Sequence, residues 1–185
     1  MKFYLAFFSL LILTSAQAQK TVEGVSFAAS MQVGGTKLNL NGAGLREKFY
    51  FDLYVAGFYS QSKITTGDVA MTKDENMAMR IVLVSDKITR EKFIAAVDEG
   101  FQKATNNNTT AIATKIADFK KCFNTEFKVN DVIIIQYIKG TGTQVLINNK
   151  IVKTIPGYDF KKALFGIWFC NDPADEDLKN GMLGK

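Results

Sequence analysis

Apolar residues alternate with polar ones in some stretches of the chain and recur every three or four positions in others, which separates strands from helices. The densest strand signal runs from Phe49 to Tyr59, a run of aromatic and β-branched residues suited to a pleated, half-buried surface. Read as one regular strand, it places Phe49, Phe51, Leu53, Val55 and Tyr59 on one face. Tyr50, Asp52, Tyr54 and Phe58 fall on the other, with Arg46 on the same parity. The first face reads as core. The second mixes an arginine, an acid and phenols with apolar groups, as the wall of a partly polar cavity would.

Before that run, Asn41-Gly42-Ala43-Gly44 reads as a turn, and Gly34-Gly35 as a hairpin signal flanked by strands over 22–27 and 37–40. Residues 60–76 are polar and read as a connection with a short helix, before a strand over 77–84. Thr89 is the expected N-cap of a helix reaching about 104, with Phe93, Ile94, Val97, Phe101 and Ala104 along one stripe. Asn106-Asn107-Asn108 breaks it, and Thr109 or Thr110 starts a second helix bearing Ile112, Ile116, Phe119 and Phe123. A strand over 132–138 follows, then Gly140-Thr141-Gly142-Thr143. This G-x-G leads into a strand instead of a helix, so it is a turn and not a phosphate loop. Asn148-Asn149 predicts a tight hairpin between strands over 144–147 and 150–155. A helix from about Asp159 carries Phe160, Leu164, Ile167 and Trp168, and Asp172-Pro173 predicts the start of a last helix with Leu178, Met182 and Leu183 on its apolar face. Strands, helices, strands, helices: the order is that of an α+β domain with a mostly antiparallel sheet.

Composition narrows the chemistry. The chain has 185 residues and no histidine. Histidine-based triads, histidine zinc sites and a histidine general base are excluded, and no metal or cofactor is expected. A net charge of +5 with dispersed lysines gives no support to nucleic-acid binding. Lys2, the apolar run over 3–13 and the Ala16-Gln17-Ala18 site form the pattern of a secretory signal peptide over 1–18. Its apolar run is too short to span a bilayer, so no membrane span is expected after cleavage. The mature domain, 19–185, is expected in the periplasm or outside the cell. Cys122 and Cys170 could pair there into one disulfide, or stay as buried thiols beside Phe123 and Phe169.

Arg46 is the candidate with the sharpest chemistry. A guanidinium keeps its charge, so a buried one needs an anionic or hydrogen-bonding partner. An internal salt bridge, for instance to Asp52, or plain solvent exposure would satisfy it. So would the carboxylate or phenolate of a ligand, helped by tyrosine hydroxyls.

Six segments, LNGAGLREK, DLYVAGFY, TREKFIAAVDEGF, GTGTQVLIN, ALFGIWF and LKNGMLGK, together resemble the secreted bacterial branch of the chalcone-isomerase-like family. The resemblance implies a large curved, mostly antiparallel sheet with helices packed on one face and a ligand cleft between. It places Arg46 at the arginine that holds a phenolate in the family's enzymes and a carboxylate in its fatty-acid-binding members. Tyr54 stands where plant enzymes carry threonine and the binders tend to carry tyrosine. Thr89 falls at the enzymes' catalytic tyrosine, Ala96 at their substrate-binding asparagine, and Lys92 at a lysine. The expected ligand site is therefore Arg46, Tyr54, Tyr50 and Thr89, with no catalytic residue assigned. Arg46 and Tyr54 are eight residues apart, roughly 26 Å along one straight strand. Either the chain turns near Glu47-Lys48, or the two serve different ends of the cleft.

The function this implies is a non-catalytic binder of a small anionic amphipath such as a fatty acid. One alternative is an isomerase (intramolecular lyase) using Arg46 as electrostatic stabiliser, with a tyrosine or bound water relaying protons. Another is a structural or partner-binding protein with a filled cleft. A cavity beside Arg46 would separate the first two from the third.

Overall fold

The computed structural model describes residues 19–185; the signal-peptide reading over 1–18 lies outside the described residues. A small antiparallel ribbon, β1 (Lys20–Val22) and β2 (Val25–Phe27), precedes the main sheet. The predicted strand over 22–27 is therefore split, because Glu23 and Gly24 take left-handed backbone and turn the chain. The main sheet has seven strands in sequential order: β3 (Ser30–Val33), β4 (Thr36–Lys48), β5 (Phe51–Ser60), β6 (Met77–Leu83), β7 (Val132–Ile138), β8 (Gly142–Ile147) and β9 (Lys150–Ile155). Every neighbouring pair is antiparallel.

Among the described residues five α-helices complete the fold: α1 (Gly67–Thr72), α2 (Arg90–Ala104), α3 (Ala113–Lys120), α4 (Tyr158–Phe169) and α5 (Glu176–Leu183). They pack on one face of the sheet. Alternation along β5 decides which side chains meet them: Tyr54, Ala56 and Phe58 enter the large core with α2, α4 and α5. Val55 and Tyr59 point the other way, into a smaller core under the ribbon with Phe27, Val33 and Leu38. The predicted parity holds for Tyr54 and Phe58 against Val55 and Tyr59, but not toward the start of the strand: Phe49, Phe51 and Leu53, expected on the Val55 face, line a cavity together with Tyr54.

Three local expectations are corrected. First, residues 41–44 form no turn; they lie inside β4. Asn41 is bulged out of register, and its buried side chain bonds the Ile64 and Met182 carbonyls at 2.8 Å each while accepting from the Ile64 amide. The glycines let α5 lie directly on the strand: a β-carbon at Gly42 would stand 2.7 Å from the carbonyl oxygen of Met182. Second, the aromatic run is not continuous. Phe49 (φ 53°) and Tyr50 (φ 63°) form a two-residue left-handed turn that reverses the chain between β4 and β5. Asn and Gly suit such turns, and each bulky residue held there costs roughly 1–2 kcal/mol. Third, α5 is capped by Asp175, whose carboxylate accepts from the Leu178 amide at 2.8 Å, and not by Asp172.

Both cysteines are free and buried. Burial pushes the Cys122 thiol up to about 11. A buried ammonium, Lys161 on α4, closes the C-terminus of α1 by donating to the carbonyls of Ala70, Met71 and Lys73 at 2.9, 2.8 and 2.9 Å. Burial pulls its pKa down to about 8, against the pull of Asp74 toward the charged form.

Candidate functional site

The turn at Phe49-Tyr50 creates the site. It folds β5 back along β4 so that Arg46 and Tyr54 become direct cross-strand partners. Of the two geometries open to the sequence, the turning chain is the one formed, two residues later than Glu47-Lys48. Arg46 Nη1 reaches the Tyr54 hydroxyl at 3.4 Å, and its guanidinium carbon lies 5.5 Å from the centre of the Tyr54 ring.

The ends of these strands lie below α2, and between them is a cavity of about 460 Å³. That is within the usual range for small-molecule sites. Its apolar wall comes from Phe49, Phe51 and Leu53 on the hairpin and Ile88, Phe93, Ala95 and Ala96 on or just before α2. Four cations face it, Arg46, Lys48, Lys87 and Lys92, against one carboxylate, Glu99. Glu99 is itself paired with Lys103 at 3.1 Å. Arg46 also lines a smaller adjoining hollow of about 140 Å³ that continues toward Gly100 and Ala174.

Arg46 is half-buried and forms no ion pair with a carboxylate among the described residues. The salt bridge to Asp52 that the sequence allowed is not made; Asp52 stands opposite Glu47 in the ladder. Arg46 Nε is buried with no hydrogen-bond partner. Burial lowers the pKa of the guanidinium, but the Tyr54 oxygen, Asp175 and Glu99 outweigh it, and the net shift is upward. The group is a committed cation with donor capacity to spare.

Tyr54 is fixed from a second side. The indole Nε1 of Trp168, on α4, donates to its hydroxyl at 2.8 Å. That oxygen therefore accepts from both Trp168 and Arg46, which leaves its own proton free to donate. Helical periodicity gives Trp168 only a place on the apolar face of its helix. The signal for more was there, because a buried indole N–H requires an acceptor.

The other two predicted residues lie outside the cavity. Tyr50 occupies the hairpin tip and is 96% exposed, since the turn swings its side chain out of the strand pleat. Thr89 caps α2, its hydroxyl oxygen accepting from the Lys92 amide at 3.3 Å. It sets where the helix starts without facing the cavity. Sequence reasoning did not single out Lys48, Lys87, Ile88 or Phe93 as lining residues; Lys87 and Ile88 precede the helix cap, where no periodicity marks them.

The architecture is a curled antiparallel sheet with helices on one face and, at the ends of β4 and β5, an apolar cavity faced by four cations. The chain belongs to the chalcone isomerase-like family, whose model matches residues 19–184. Its structure is similar to that of a fatty-acid binding protein of Arabidopsis thaliana, with a TM-score of 0.69 and 19% sequence identity over 90% of this chain and 96% of the other. No curated protein matches the chain in sequence.

Proposed function

We propose that the protein binds a small amphipath with an anionic head group, a fatty acid being the chemical type, in the periplasm or outside the cell. The observation that carries this reading is Arg46: a charged, half-buried guanidinium with an unpartnered Nε, lining an apolar cavity. A ligand carboxylate there would accept from Arg46 and from the free Tyr54 proton, both charge-assisted bonds. The hydrocarbon tail would lie against Phe93, Ile88, Leu53 and the hairpin aromatics. Support comes also from the fatty-acid binding protein of the same fold and, for the compartment, from the signal-peptide pattern over 1–18.

Catalysis has less in its favour. At the two positions where the resemblance puts an enzyme's tyrosine and asparagine, Thr89 caps α2 without lining the cavity and Ala96 offers only a methyl group. Native mass spectrometry of the mature protein, purified without detergent, tests the binder reading beside an Arg46→Ala variant. A co-purified fatty acid that is lost in the variant is the expected result. A wild-type protein that is empty and also ignores added fatty acids would overturn it.

A further inference from the structure

Ligand binding alone leaves the tip of the β4–β5 hairpin unexplained. Its two turn residues are aromatic and left-handed, Phe49 and Tyr50, whereas the turns at Gly34-Gly35 and Asn148-Asn149 use residues that tolerate such backbone. The same aromatics face water: Phe49 is 78% exposed, Tyr50 96% and Phe51 50%. Backbone preference and solvent preference are thus both overridden at one spot, the pattern of a surface kept for contact.

That spot is also the rim of the cavity, since Phe49 and Phe51 line it together with Lys48, Lys87 and Lys92. Lys48 Nζ lies 5.6 Å from the centre of the Phe49 ring. Acids are near as well: Glu47 and Asp52 oppose each other one step behind the tip, and the exposed Asp86 pairs with Lys87 at 3.4 Å. Aromatic rings beside lysines match the two layers of a membrane surface, the headgroup zone and the lipid phosphates.

We propose that this tip docks on the surface of an anionic phospholipid bilayer. Phe49, Tyr50 and Phe51 enter the headgroup layer, Lys48 and Lys92 face the phosphates, and the cavity mouth is turned toward the lipid. An amphipath could then pass between bilayer and cavity without its tail crossing open water. This last consequence rests on the binder reading; docking itself does not.

Flotation of the ligand-free protein with vesicles tests it, comparing phosphatidylcholine alone with a mixture containing phosphatidylglycerol. The wild type should float with the anionic vesicles, less so as salt is raised. Tyr50→Gly suits the left-handed turn and leaves the cavity lining intact, so it should fold and yet bind those vesicles roughly tenfold more weakly. Tyr50→Trp should retain binding. Titration of both proteins with soluble decanoate, without vesicles, reads the cavity separately. Vesicle binding with no decanoate uptake would sink the binder reading and uphold docking. A wild type that stays in solution, or a Tyr50→Gly variant that floats equally well, would overturn the docking proposal.

Discussion

Replacing Arg46 by methionine separates a ligand anchor from a structural arginine, because the two roles move affinity and stability in different directions. Methionine keeps an unbranched apolar stem and removes the charge. If a bound carboxylate relies on this guanidinium, the loss is that of a hydrogen bond to a charged group, about 1.5–3 kcal/mol. That corresponds to roughly ten- to a hundredfold weaker binding. The ligand-free protein should lose little. It gives up a long 3.4 Å contact with Tyr54 and a ring contact, and it is relieved of a buried Nε that has no partner. An unsatisfied buried donor costs about 1–3 kcal/mol, so stability without ligand should be unchanged or raised. Calorimetric titration of delipidated protein with a fatty acid reads the first quantity, and urea denaturation the second. An unchanged affinity, or a ligand-free protein weakened by more than about 2 kcal/mol, would refute the assignment of Arg46 to ligand.

Two further changes probe the scaffold. Gly42→Ala forces a β-carbon to within 2.7 Å of the Met182 carbonyl oxygen, so α5 must lift from β4; a loss of about 3 kcal/mol is expected by chemical denaturation, and a loss near zero would show that the helix shifts freely. Lys161, with its pKa drawn down to about 8 from 10.5, binds its proton less tightly in the folded than in the unfolded chain. Its contribution to stability should therefore grow as pH rises from about 8 to 10 and be lost again as pH falls through the folded value. Denaturation midpoints of wild type and Lys161→Met across that window should diverge accordingly; parallel curves would mean that the three carbonyls keep the ammonium fully charged.

Much of the frame was legible because local chemistry and tertiary packing agreed. Thr89 and the stripe from Phe93 to Phe101 describe α2 almost residue for residue, and Asn148-Asn149 marks a turn that its own side chains favour. Strand parity separates Tyr54 and Phe58 from Val55 and Tyr59 as the structure does, but an error about where the strand begins puts Phe49, Phe51 and Leu53 on the core face when they line the cavity with Tyr54. That error is instructive. Phe49-Tyr50 carries no turn signal, so the hairpin that joins Arg46 to Tyr54 could not be read from residue type. Gly42 and Gly44 did look like punctuation, yet they serve a helix that is distant in sequence. Asp172-Pro173 and Asp175 were both plausible caps, and only packing of α5 on β4 selects the latter. The site follows the same pattern: Arg46 and Tyr54 stood out by chemistry, whereas Trp168, Lys48 and Lys87 meet them only through the fold.

Carbon-13 NMR of a fatty acid labelled at its carboxyl carbon would test the head-group position at Arg46 most directly. Next to this guanidinium the bound carboxyl should stay ionised as pH falls, titrating well below the value of the same fatty acid free in solution. In Arg46→Met, where an apolar cavity surrounds it without a counter-charge, the same carbon should titrate above that value. A bound carboxyl that titrates near the free-solution value in both proteins would place the head group in water and contradict the proposed binding mode.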